Sequence, residues 1–203
     1  MRKLISLIFK FYLYANAMLY NKFCLLILLF KLFLLNIPHG KIKTGGGIIK
    51  ISLSRKGHII LGDNVNFANR WEIGYPSKCY LRIRGNGLLS IGNNTGLNSV
   101  SVFCDQKIII GNNVNIGGNT KIFDTNFHSN DYLERRDTNL TNNTRTLSIV
   151  IEDDVFIGGH CLICKGVKIG ARSMIAAGSV VISKIPPDQL WGGNPAIFIK
   201  NLK

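Results

Sequence analysis

From Ile151 onward the chain places an aliphatic residue at every sixth position: Ile151, Ile157, Ile163, Ile169, Ile175 and Val181. Four positions after each come Val155, Cys161, Val167, Ser173, Ser179 and Ile185, mostly small; directly after each come Glu152, Gly158, Cys164, Gly170, Ala176 and Ile182. A six-residue beat is neither the period of a helix nor the strict alternation of a sandwich strand. A short strand and a two-residue corner make one flat side, and three such sides close a coil of 18 residues, the spacing from Ile151 to Ile169. Upstream the beat is kept by Ile110, Ile116 and Ile122, by Ile91, Leu97 and Phe103, and by Leu61, Phe67 and Ile73, with extra residues between blocks. The pattern predicts a three-sided parallel β-helix from about Ile59 to Val181. Aliphatic residues point inward and stack coil on coil, and Gly or Asn takes the positive φ that corners demand. The 21 glycines, which do not fall every third residue as in collagen, fit this architecture.

The breaks in the beat carry further information. From Ile110 to Ile151 is 41 residues against 18 for a coil, so about 23 residues leave the coil. The segment 128–147, polar, charged and aperiodic, is the predicted loop, and a long loop inside a repeat domain is usually functional.

The N-terminal part has a different composition. Residues 4–38 are almost wholly apolar, and ten Lys and Arg residues precede the first acid, Asp63, which leaves +4 of the net +14 for the rest of the chain. Three readings stand for this segment: two helices, roughly 3–20 and 22–36, lying on a membrane surface with snorkelling lysines; a membrane span; or a helical cap on the β-helix. A signal peptide fits poorly, since the stretch is too long and lacks a small-residue cleavage site. The expected organisation is a helical segment 1–40, a linker 41–58 and a β-helix 59–203. Basic excess beside apolar residues suits an anionic membrane surface better than nucleic acid. The five cysteines, an odd number without framework spacing, read as reduced thiols of a cytoplasmic protein at the inner membrane face. Cys161 and Cys164 fall on repeat positions and lack a second ligand pair, so no metal is expected.

The chain from about Ile59 to Lys200, most strongly Ile151–Lys200, resembles the hexapeptide-repeat acyltransferases, which include the maltose, galactoside, serine and polysaccharide O-acetyltransferases. The likeness rests on the successive Ile-Gly units, on Ala177-Gly178-Ser179-Val180-Val181 and on the closing Asn194-Pro195-Ala196. It implies an all-β fold, a left-handed parallel β-helix with a short apolar N-terminal helical segment, acetyl-CoA as co-substrate and a homotrimer. It also implies a general base at His128, just before the loop, because the family's catalytic histidine ends a coil there. An ordinary histidine, with pKa about 6.5, can accept a hydroxyl proton near pH 7. Asp124 and Asn126 are candidates for orienting His128 or the acceptor, or for forming the corner. For the co-substrate the resemblance points to Gly158, Gly159, Ala177 and Gly178, with Lys184 and Lys200 for its phosphates; Lys165, Lys168 and Arg172 are alternatives, and Phe156 stands beside the expected thioester arm. The expected reaction is acetyl transfer to a sugar hydroxyl in surface-polysaccharide synthesis. A small soluble acceptor, or a non-catalytic scaffold, is the alternative.

Overall fold

The computed structural model describes residues 2–45, 47–68, 78–136 and 144–202, with side chains in the first helix described for residues 15, 16 and 18 onward. The chain opens with one continuous helix, α1 (Arg2–Leu34), rather than the two expected. No Gly or Pro occurs before residue 38, so nothing in the backbone breaks it at residue 21. It ends at Asn36, whose φ of 49° lets the Ile37 N–H reach back to the Leu32 carbonyl (2.9 Å) and the Asn36 N–H to Phe33 (3.0 Å).

Strands β1 (Ile42–Gly45), β2 (Lys50–Leu53) and β3 (His58–Leu61) then occupy three different sheets, and each returns to its own sheet one coil later. β4 (Val65–Ala68), β5 (Tyr80–Ile83) and β6 (Leu88–Ile91) form the second coil, and β7 (Gly96–Asn98), β8 (Ser101–Cys104) and β9 (Lys107–Ile110) the third. β10 (Asn115–Ile116) and β11 (Lys121–Phe123) precede the interruption, which holds the short helix α2 (Tyr132–Arg136). β12 (Ile149–Ile151) resumes the third sheet. β13 (Phe156–Ile157), β14 (Leu162–Ile163) and β15 (Lys168–Ile169) make one further coil; β16 (Met174–Ile175), β17 (Val180–Val181) and a bridge from Ile169 to Ile185 make the last. An antiparallel hairpin, β18 (Gln189–Gly193) with β19 (Ala196–Asn201), closes the end. All other strand pairings are parallel among the described residues.

The inward columns carry the six-residue beat. On the third sheet Ile91, Ile110, Ile151 and Ile169 stand in register; on the second, Ile122, Ile163 and Val181; on the first, Leu97, Ile116, Ile157 and Ile175. All are buried. The residue four positions on is buried too, except Ser101 and Asn126, which are half-buried. Where it is Thr or Ser its hydroxyl ties adjacent coils: Thr120 donates to the Gly158 carbonyl (3.0 Å) and accepts from the Cys161 N–H, and Ser173 donates to the Pro186 carbonyl (2.7 Å).

Two further expectations change. The supposed linker 41–58 is the first coil: Ile42 pairs with Val65, Ile51 with Leu81 and Ile59 with Leu89. Its shorter apolar runs hide the beat, but α1 covers its open end, with Leu28, Leu32 and Ile37 joining Ile42 and Ile49 in one core. Val102, not Phe103, fills the inward column, facing Leu81 and Ile122. The step from Leu97 to Val102 is five residues, against six from Ile116 to Ile122, so Phe103 turns outward. Ile73 lies outside the described residues.

Candidate active site

The long interruption leaves the coil at the corner between the second and third sheets. Its base is held shut by an antiparallel bridge between Thr125 and Thr146, by the Asn126 N–H on the Arg145 carbonyl (3.2 Å) and by the Leu147 N–H on the Asp124 carbonyl (3.0 Å). His128 sits just beyond this clamp and is exposed.

Asp124 is fully buried below it. One carboxylate oxygen accepts from the Asp105 N–H (2.8 Å), the other from Gln106 (2.8 Å) and Lys107 (2.9 Å). The carboxylate therefore fixes the turn of the preceding coil, the corner-forming alternative. Asn126 is half-buried and its amide donates to the Asn130 side chain (3.1 Å), inside the loop.

Between these residues and His128 stands Phe127, which sequence reasoning passed over. Its φ of 63° is the left-handed region, a conformation a bulky residue adopts only when its surroundings enforce it. Here the ring packs edge-on against Phe103 (5.5 Å) and Phe123 (5.1 Å), and the Arg84 guanidinium stands 5.9 Å from its centroid. Arg84 is in turn paired with Asp105, in the turn that Asp124 holds. Phe103 also meets Tyr80 (5.4 Å) and Phe123 (5.0 Å), so one aromatic row runs along the outer face of the second sheet to the residue before His128. The six-residue beat had put Phe103 inward and so hid this row; once the structure sets Val102 and Ile122 inward, Phe103 and Phe123 face out on neighbouring strands.

Gly158, Gly159, Ala177 and Gly178 come together at another edge, the corner between the first and second sheets, in successive coils; the Gly178 N–H donates to the Gly159 carbonyl (2.8 Å). Gly158 is buried, and a Cβ there would lie 2.5 Å from the Ala177 nitrogen, so stacking requires this glycine. Gly178 faces open space, and its φ of +75° is what requires glycine. Ala177 and Gly178 are exposed and Gly159 half-buried, leaving a smooth strip of backbone for a ligand arm.

Lys184 lies at the same corner as the His128 loop, two coils on, and Lys200 lies on β19 opposite Leu190; both are exposed, and neither is in an ion pair among the described residues. Of the alternatives, Lys168 pairs with Glu152 (2.7 Å) and Arg172 binds Asp188 through two hydrogen bonds (2.7 and 2.6 Å), which leaves Lys165 uncommitted to an ion pair. Phe156 is exposed beside Met174 on the first sheet. Burial pushes the Cys161 and Cys164 thiols up, away from nucleophilic character. No three His, Cys, Asp or Glu side chains cluster as metal ligands among the described residues.

Residues 148–183 match the family described as bacterial transferase hexapeptide (six repeats). A hexapeptide-repeat-containing acetyltransferase of Vibrio cholerae, solved in complex with acetyl coenzyme A, superposes with a TM-score of 0.55 at 31% identity, over 81% of this chain and 70% of that one. The chain belongs to the hexapeptide-repeat acyltransferase superfamily. Two further members match by sequence. One is an inferred acetyltransferase of Saccharomyces cerevisiae, 42% identical over 113 residues, 55% of each chain. The other is the 2,3,4,5-tetrahydropyridine-2,6-dicarboxylate N-acetyltransferase of Clostridium perfringens, 49% identical over 53 residues, 26% of this chain and 22% of that one. The present acyltransferase-superfamily chain thus spans about half the yeast relative and under a quarter of the clostridial one.

Proposed function

We propose that the chain is a CoA-dependent O-acetyltransferase that moves an acetyl group from acetyl-CoA to a sugar hydroxyl during surface-polysaccharide assembly, with His128 as general base. The observation that carries the reading is the position of His128, exposed just past the clamped base of the longest interruption in the repeat. In the mechanism the neutral imidazole accepts the acceptor's hydroxyl proton as the oxygen attacks the thioester carbonyl. Backbone N–H groups stabilise the oxyanion, and its collapse expels the CoA thiolate, which takes the proton from the imidazolium. Direct transfer requires neither a metal nor an acyl-enzyme. The pantetheine arm runs along Gly159, Ala177 and Gly178, and Lys184 and Lys200 face its phosphates. The glycine corner and the His128 corner are the two edges of the second sheet, an arrangement that suits a left-handed coil assembled as a trimer with its sites between subunits. The enzyme works at the cytoplasmic face of a membrane, where lipid-linked acceptors are held.

The test is thiol release from acetyl-CoA by purified protein with a panel of glycans. His128→Ala is expected to lower kcat about 100-fold or more; equal rates for variant and wild type would overturn the mechanism. A second reading, an amine acceptor, is favoured by the clostridial relative, an N-acetyltransferase. Amino sugars and amino acids in the same panel separate the two.

A further inference from the structure

Helix α1 is apolar on two faces, and the fold uses only one. Cys24, Leu28 and Leu32, each four residues from the last, are buried, and Leu28 and Leu32 share a core with Ile42 and Ile49 of the first coil. On the opposite side Leu19, Phe23, Leu26, Phe30 and Phe33 follow a four-three spacing and are all 57% exposed or more, with Phe33 at 79%. Capping the β-helix requires the inward stripe alone. A stripe of five large exposed side chains on one helix face is a docking surface.

The charge around it selects the occupant. Ten Lys and Arg residues and no acid precede Asp63; of these Lys22 lies on the exposed side of α1, and Lys41 and Lys43 follow the helix. A second copy of the helix would bring like charges together with no acid to pair them, and Phe at three of the five seam positions is a poor fit to the aliphatic knobs of a coiled coil. An anionic lipid surface satisfies both the aromatic-aliphatic stripe and the lysines. Among the described residues no helix is long and apolar enough to cross a membrane. Leu28 and Leu32 are committed to the β-helix core, so an orientation along the surface keeps that packing while the outward stripe meets lipid.

We infer that the outward face of α1 docks in the plane of an anionic bilayer, while its inward face holds the β-helix to that surface. This rests on the reading that the acceptor is borne by a membrane, and it names the surface that recognises it. The test is co-sedimentation of the full chain with vesicles of phosphatidylcholine alone or with about one-third phosphatidylglycerol. Binding is expected to the anionic vesicles, falling on the order of tenfold on neutral vesicles or at high salt. The triple variant Phe23→Ser, Phe30→Ser, Phe33→Ser is expected to bind roughly 100-fold more weakly with its thermal midpoint unchanged, because the inward stripe is intact. No binding by the wild type would overturn the inference. So would self-association through α1 that the triple variant abolishes, which assigns the face to a second copy. Thiol release with a soluble acceptor, measured without vesicles, reads the catalytic proposal separately: vesicle binding without thiol release supports the lipid surface and sinks the chemistry alone.

Discussion

At Asp124 a buried carboxylate accepts three backbone N–H groups across one turn, two of them on the same oxygen. Asp124→Asn replaces one acceptor with a donor facing those amides, and the loss is expected to be about 3 kcal/mol, seen as a lower thermal midpoint. A larger fall in kcat than in stability would instead give Asp124 a direct part in orienting His128. At Phe127 two effects oppose each other. Phe127→Gly relieves a left-handed φ worth about 1–3 kcal/mol, and it removes two ring contacts worth about 0.5–1.5 kcal/mol each together with their buried apolar area. The thermal midpoint is expected to fall modestly and kcat to fall further, because the backbone before His128 loses its anchor; an unchanged kcat would reduce Phe127 to packing. At Cys79 burial pushes the thiol up to about 12 from an ordinary 9.0. The folded state keeps the proton that the unfolded chain releases, so this contribution is complete below pH 9 and is lost as pH rises toward 12. Cys79→Ala is expected to flatten the alkaline limb of an unfolding-versus-pH profile.

The coil as an element tolerates side-chain change better than backbone crowding. Gly158→Ala sets a Cβ against the backbone nitrogen of Ala177, an atom that cannot turn aside. Gly178→Ala meets open space and suffers only its φ. The expected losses are about 3 kcal/mol or more for the first and about 1–2 kcal/mol for the second, ranked by chemical denaturation; the reverse order would contradict the stacking geometry. The aliphatic columns were legible in the sequence because stacking in register repeats one environment six residues apart. The register slip at Val102 was not. There the corner is one residue shorter, five residues from Leu97 to Val102 instead of six, and both Val102 and Phe103 are apolar enough to fill either place.

At the scale of the whole molecule a β-helix has two open ends, and both are covered here. The β18–β19 hairpin closes one, with Trp191 and Phe198 edge-on at 6.3 Å, and α1 closes the other. Deleting residues 1–40 removes Leu28, Leu32 and Ile37 from the core they share with Ile42 and Ile49. The truncated chain is expected to unfold at lower denaturant and to aggregate, measured by denaturant midpoint and light scattering. Retained stability would mean that the first coil needs no cap.

The sequence by itself determined the three-sided coil, most of its inward columns and the place where it is interrupted. Each of these follows from periodicity, which local chemistry writes directly into the chain. Only the tertiary structure decided what happens where partners are distant in sequence. It paired the supposed linker with the second coil, turned Asp124 toward a turn 17–19 residues away, and gathered Tyr80, Phe103, Phe123 and Phe127 into one row. It also divided α1 into a face that the core uses and a face that it leaves exposed. In a solenoid neighbours in space lie a coil apart, and no local pattern records which side chains they bring together.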